Sequence, residues 1–322
     1  MKKKHKVIFA VSAIVSFISA VVIAVTLIGR GGSAPGNGES GSGLEESDPG
    51  VLGSGLAGDD GSGAGNQSTY FSDPIFISWS VSGLEDRVID WKDENLKRAM
   101  VEATGIADRD IMLSDVWEVE ELSLVGQDIS DISALGCMHN LTDLSLSGNR
   151  ISDVSALGYL VNLSELNLGG NQISDVSALR GLSKLNYLYL GDNRISDVRP
   201  LGGLGSLTSL YLLGNEVSDV SALSSLRGLV KLSLGNNQIS DVSALKNLKN
   251  LSDLNLSGNQ VSDVSALGGL TNLNYLNVED NQISDVSALS GLTNLYYLYL
   301  RGNQVEDVSA LEGLTNLVEL YY

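Results

Sequence analysis

From Leu141 onward, apolar side chains fall at fixed intervals: Leu141, Leu144 and Leu146, then Ile151, Val154 and Leu157, before the order begins again. Leu144 and Leu146 alternate with polar neighbours, the period-two pattern of a strand with one buried face. The Asp-Val-Ser-Ala-Leu stretch that follows suits a short helical turn, its Asp accepting backbone N–H groups at the start. Pro200, which replaces Ala in one unit, fits near the first turn of such a segment.

The order returns every 22 residues without insertion or deletion. Asn149, Asn171, Asn193, Asn215, Asn237, Asn259, Asn281 and Asn303 are evenly spaced, and Gln127 stands one period earlier. Ile or Val follows two residues after each, and Asp two residues later again, from Asp131 to Asp307. A period of this size carrying Leu-x-x-Leu-x-Leu-x-x-Asn is the leucine-rich repeat signature. One short strand cannot hide its apolar face alone. Stacked coils predict an α/β solenoid: a right-handed coil with a parallel sheet on the concave face, a continuous leucine core, and short helical turns on the convex face. The asparagines are expected to point inward at the turn leaving each strand, where their amides satisfy backbone groups of two coils. An unpaired group there would cost about 1 to 3 kcal/mol.

The residues before the repeats are organised differently. Lys2, Lys3, Lys4 and Lys6 precede an uncharged apolar run from 7 to 28, about 33 Å as a helix and long enough to cross a membrane. Residues 1–30 are expected to act as a basic segment and transmembrane anchor, or as a cleaved signal peptide. The lysines favour the cytoplasmic side, placing the repeats outside the cell. Residues 31–67 contain 13 glycines with Ser, Asn and acidic residues, the composition of a flexible tether.

The 22-residue unit with Ile-Ser-Asp-Val-Ser-Ala-Leu resembles the SDS22-like class of leucine-rich repeats, found in bacterial internalin-like surface proteins and in a eukaryotic phosphatase regulator. The segment Ile89-Asp90-Trp91-Lys92-Asp93-Glu94-Asn95-Leu96 and its continuation is similar to the helical N-terminal cap of internalin-like proteins. Its residues agree: Leu96, Ala99, Met100 and Ala103 follow helical spacing, Asp93 can open the helix and Gly105 can end it. The cap region is expected over 68–118 and the solenoid over 119–322. At the far end Leu317, Leu320 and Tyr322 take the repeat's three apolar strand positions, which predicts an uncapped coil offering an edge contact, or one covered by Tyr321 and Tyr322.

Charge and composition narrow the function. The chain has 20 Lys and Arg against 39 Asp and Glu, a net charge of −19 that disfavours nucleic acid. The single cysteine, Cys137, excludes an internal disulfide and a Cys-rich zinc module. Cys137-Met138-His139 supplies two soft ligands at most, and the Asp column supplies one carboxylate per coil, so no metal or other cofactor is expected. Only two histidines are present, and no nucleophile set or phosphate-binding loop is recognisable, so no catalytic residues are expected. Asn-Leu-Ser/Thr triplets such as Asn140-Leu141-Thr142 match a glycosylation pattern only because the repeat dictates them.

The variable positions flank the buried leucines on the outer strand face. There Tyr187, Tyr189 and Tyr211 with Leu213 form one group, and Tyr275, Tyr297, Tyr299 and Tyr321 a second. Aromatics that point away from a core are favoured in binding hot spots, although they are also good strand residues. These eight residues are the candidate ligand site. The expectation is a non-catalytic, membrane-tethered extracellular module binding a protein or glycan on its concave face. An intracellular interaction scaffold like the phosphatase regulator is the alternative.

Overall fold

The computed structural model describes residues 86–106 and 109–322. The apolar run 7–28, the glycine-rich stretch 31–67 and residues 68–85 of the expected cap region lie outside the described residues. Among the described residues no helix is long and apolar enough to cross a membrane.

Helix α1 spans Glu94–Thr104. Asp93 opens it by accepting the N–H groups of Asn95 at 2.9 Å and Leu96 at 3.0 Å. Gly105 ends it in the left-handed conformation, φ 70°, returning its N–H to the Val101 carbonyl. Leu96, Ala99 and Met100 are buried and share one core with the first coil. Ala103 does not join them. It is exposed, and Val101 packs at the edge of the core instead, so the inward stripe is shorter than helical spacing implied. A short helix α2, Leu113–Val116, follows, with Asp115 accepting the Met112 N–H at 2.8 Å.

Ten three-residue strands then form one parallel sheet in chain order: β1 Glu121–Ser123, β2 Asp143–Ser145, β3 Glu165–Asn167, β4 Tyr187–Tyr189, β5 Ser209–Tyr211, β6 Lys231–Ser233, β7 Asp253–Asn255, β8 Tyr275–Asn277, β9 Tyr297–Tyr299 and β10 Glu319–Tyr321. Each strand pairs with residues 22 positions away, so every repeat position stacks on its own equivalent. The central leucines, such as Leu166, Leu188 and Leu210, are fully buried. Short 3-10 turns, such as Ser155–Tyr159 and Ser221–Ser225, carry the chain across the opposite side. Each begins where an aspartate accepts the N–H two residues on, as Asp219 does from Ser221 at 2.8 Å. Pro200 lies in the first turn of its segment, where its missing N–H has no helical partner to lose.

The buried asparagines lock coil to coil. Asn215 Nδ2 donates to the carbonyls of Leu212 in its own coil, 3.1 Å, and Leu190 in the one before, 2.9 Å. Its Oδ1 accepts the Ile195 N–H at 2.9 Å. The other seven repeat this set, from Asn149 to Asn303. In the first coil Gln127 does not take that place. Asp93 bridges instead, its second oxygen accepting the N–H groups of Ser130 at 2.7 Å and Asp131 at 3.1 Å. One carboxylate thus starts α1 and ties it to the first coil.

In the last coil the apolar positions are less enclosed: Leu317 and Leu320 are half-buried, and Tyr322, where earlier coils bury an aliphatic residue, is 69% exposed. Tyr321 lies against Tyr299 on the outer face.

Candidate functional site

Because the sheet has period two and its leucines point inward, the first and third residues of every strand share the outer face. The structure brings the predicted tyrosines together there in two groups. On β4 and β5, the Tyr189 and Tyr211 rings stack with centroids 5.4 Å apart, and Tyr187 lies 5.5 Å from Tyr211 at a 47° tilt. Gly169 and Gly191 make room for them: a Cβ would come within 2.5 Å and 2.9 Å of the Tyr189 ring, and at Gly191 within 3.0 Å of Leu213. Leu213 and the Tyr189 ring thus border the same glycine. The two glycines were not singled out in the sequence, although small residues beside an aromatic column are a visible signal.

The second group runs from β8 to β10. Tyr275 contacts Tyr297 at 6.5 Å and Tyr299 at 5.5 Å, and Tyr299 stacks on Tyr321 at 5.2 Å with rings 5° from parallel. The Arg301 guanidinium covers the Tyr321 ring at 5.0 Å, and the Tyr299 hydroxyl donates to Glu319 at 3.1 Å. Arg301 and Glu319 were not among the sequence candidates, nor was Tyr296, which precedes β9 and is 46% exposed. The rings are less open than an exposed face suggested: six of the seven predicted tyrosines are half-buried against one another, and Tyr297 alone, at 39%, counts as exposed.

Burial pushes the Tyr187 hydroxyl up to about 12, with Tyr211, Tyr189 and Glu165 adding to the shift. Burial also raises Tyr189, Tyr211, Tyr275 and Tyr299, the last reinforced by its bond to Glu319. All five stay protonated at neutral pH and can donate. Between the groups lie β6 and β7, whose outer residues are polar: Lys231 and Ser233, then Asp253 and Asn255. At about 4.8 Å per strand, Tyr211 and Tyr275 are separated by roughly 14 Å of polar surface.

The other candidates are elsewhere. Met138 is buried in the core, Cys137 donates to the Ala134 carbonyl, and His139 Nδ1 lies 3.3 Å from the Tyr159 carbonyl. Among the described residues no group of three or more His, Cys, Asp or Glu is arranged to hold a metal. The asparagines before the strands have a role that the sequence reading passed over. Asn140, Asn162, Asn250, Asn272, Asn294 and Asn316 each donate to a carbonyl 23 residues back, bracing the preceding coil from outside at 2.7 to 2.9 Å.

Comparison with known proteins agrees with this architecture. The family pattern "Leucine Rich repeats (2 copies)" matches overlapping pairs of repeats over residues 161–313, and a single "Leucine Rich repeat" matches 137–157. An internalin (inlF) from Listeria monocytogenes is 31% identical and superposes with a TM-score of 0.62 over 72% of this chain and 75% of its own. Internalin C2 from the same organism is 33% identical, TM-score 0.57, over 70% of this chain and 91% of its own. The chain belongs to the internalin-like leucine-rich repeat proteins. No curated protein sequence matches it.

A more distant likeness places this internalin-like chain beside plant receptors. The ectodomain of the Arabidopsis thaliana receptor kinase GASSHO1/SCHENGEN3, in complex with CASPARIAN STRIP INTEGRITY FACTOR 2, is 27% identical, TM-score 0.54, over 58% of this chain and 25% of its own. Leucine-rich repeats of this kind are typical of protein-binding modules.

Proposed function

We propose that this internalin-like protein is a non-catalytic, SDS22-like surface module of bacterial type, tethered to the membrane through residues 7–28, that binds a protein on its concave face. Residues 31–67 would serve as the tether, 68–118 as the cap and 119–322 as the docking body. The observation that carries the reading is the sorting of side chains: seven tyrosines on the outer face make no part of the leucine core yet gather into two groups.

A protein suits the site better than a glycan. Sugar rings need open aromatic faces, whereas stacking covers one face each of Tyr189, Tyr211, Tyr299 and Tyr321, and the Arg301 guanidinium lies over Tyr321. Tyrosine with a polar tip and an apolar body is the residue favoured at protein interfaces. The test is capture by the immobilised full chain: Tyr189→Ala and Tyr297→Ala should abolish retention of the partner while stability falls by no more than about 1 kcal/mol. Equal loss of folding and capture overturns the reading. Location is tested by protease added to intact cells, which digests the repeats if they are outside and spares them if the protein is an intracellular scaffold.

A further inference from the structure

The first outer column of the sheet contains an arrangement that folding alone does not reward. Glu121, Asp143 and Glu165 stand side by side in register on β1, β2 and β3. Neighbouring strands are about 4.8 Å apart, and like charges placed so repel. None of the three takes part in the ion pairs found among the described residues, which join Arg109 to Asp115, Arg150 to Asp128 and Arg199 to Asp197. Asp143 has only a neutral partner, the Thr142 hydroxyl at 2.7 Å. The column's own cation, Lys231, is on β6, three strands beyond Glu165, and Arg301 is engaged by Tyr321.

The row leads directly into the first aromatic group, because Glu165 pairs with Tyr187 across β3 and β4. Five adjacent strands thus present three carboxylates and then the Tyr187, Tyr189 and Tyr211 rings. The second aromatic group differs, since Glu319 and Arg301 give it both signs of charge.

We propose that this β1–β5 half of the face docks a cationic segment of a protein partner, with Arg or Lys side chains over Glu121, Asp143 and Glu165 and an apolar side chain on the tyrosines. The proposal rests on the docking reading above and adds its chemistry. A guanidinium engages carboxylates through paired hydrogen bonds and neutralises the repulsion along the row. The encounter is also steered by charge.

The probe is a synthetic peptide bearing arginines and tryptophan, compared with its glutamate counterpart, titrated into the full chain at low and high salt. The variant E121Q/D143N/E165Q should bind the basic peptide at least about tenfold more weakly, a loss of roughly 1.4 kcal/mol. It should also melt slightly higher, because repulsion is relieved. The variant E216Q/E306Q/E312Q, with the same charge change at exposed sites outside the row, should bind within about twofold of the unmodified chain. Equal weakening of the two triple variants, an unchanged affinity in the first, or its earlier melting overturns the proposal. If Tyr189→Ala and Tyr211→Ala lose the peptide while the row variant keeps it, the cationic assignment fails and the docking face stands. If neither set matters, both fail.

Discussion

Two asparagine ladders run the length of the solenoid, and they tolerate change differently. The inner ladder, Asn149 to Asn303, is unbroken over eight coils, and seven of its members are buried. The outer ladder also ties each coil to the one before, yet Lys184, Ser206 and Gly228 interrupt it in three consecutive coils. The bonds are equally short, so bond length does not explain the difference. Surroundings do. An inner amide pairs an N–H that water cannot reach and shares two buried carbonyls with the rungs on either side, so its loss leaves the N–H unmet and removes one of two side-chain donors from each carbonyl. An outer amide donates once at a surface where water can replace it.

The sharpest way to break this comparison is Asn215→Ala. Leaving the Ile195 N–H unpaired, and the Leu190 and Leu212 carbonyls with only the Asn193 and Asn237 amides, should cost about 3 kcal/mol, read from urea denaturation. A loss below about 1 kcal/mol would show that water enters the coil and that burial is not the governing difference.

Next in size is Asp93→Ala at the start of the solenoid, expected to cost about 2 kcal/mol at pH 7. Burial pushes this carboxyl up, but bonds from Ser130, Asp131 and Leu96 outweigh it and hold it at about 2, below the ordinary 3.8. A depressed carboxylate adds stability above its unfolded value and loses it as pH falls through the folded one. The difference between Asp93 and its Ala variant should therefore shrink as pH falls from about 4 to about 2. A difference independent of pH over that window would contradict the bridging role.

The smallest effects belong to the outer ladder. Asn272→Ala should lose about 0.5 to 1 kcal/mol, and Ser206→Asn, which restores a missing rung, should gain a few tenths. Thermal melts of the two variants provide the check. A cost for Asn272→Ala matching that of Asn215→Ala would erase the distinction between the ladders.

Much of this was legible before any coordinates. Exact spacing identified the strands, the inward leucines, the inner asparagines and the convex aspartates, because each position must satisfy the same surroundings in every coil. Asp93 and Gly105 were readable as helix ends from local chemistry. Ala103 misled, since helical spacing says which face a residue is on but not where the packed partner ends. The outer asparagines were seen and set aside as a by-product of the repeat, because their carbonyl partners are a full coil away. Arg301, Glu319, Gly169 and Gly191 escaped notice for a related reason: each matters only through a ring on an adjacent strand.

The sequence by itself determined the period, the coil and the side of the sheet on which every residue stands, since those follow from alternation along a single chain. Only the tertiary structure decided how the outer side chains meet. Stacking in register sets residues 22 positions apart next to one another, so phenol faces become covered, one tyrosine group acquires charges of both signs, and three carboxylates are left side by side. Such contacts are properties of neighbouring coils, and no single unit of the repeat contains them.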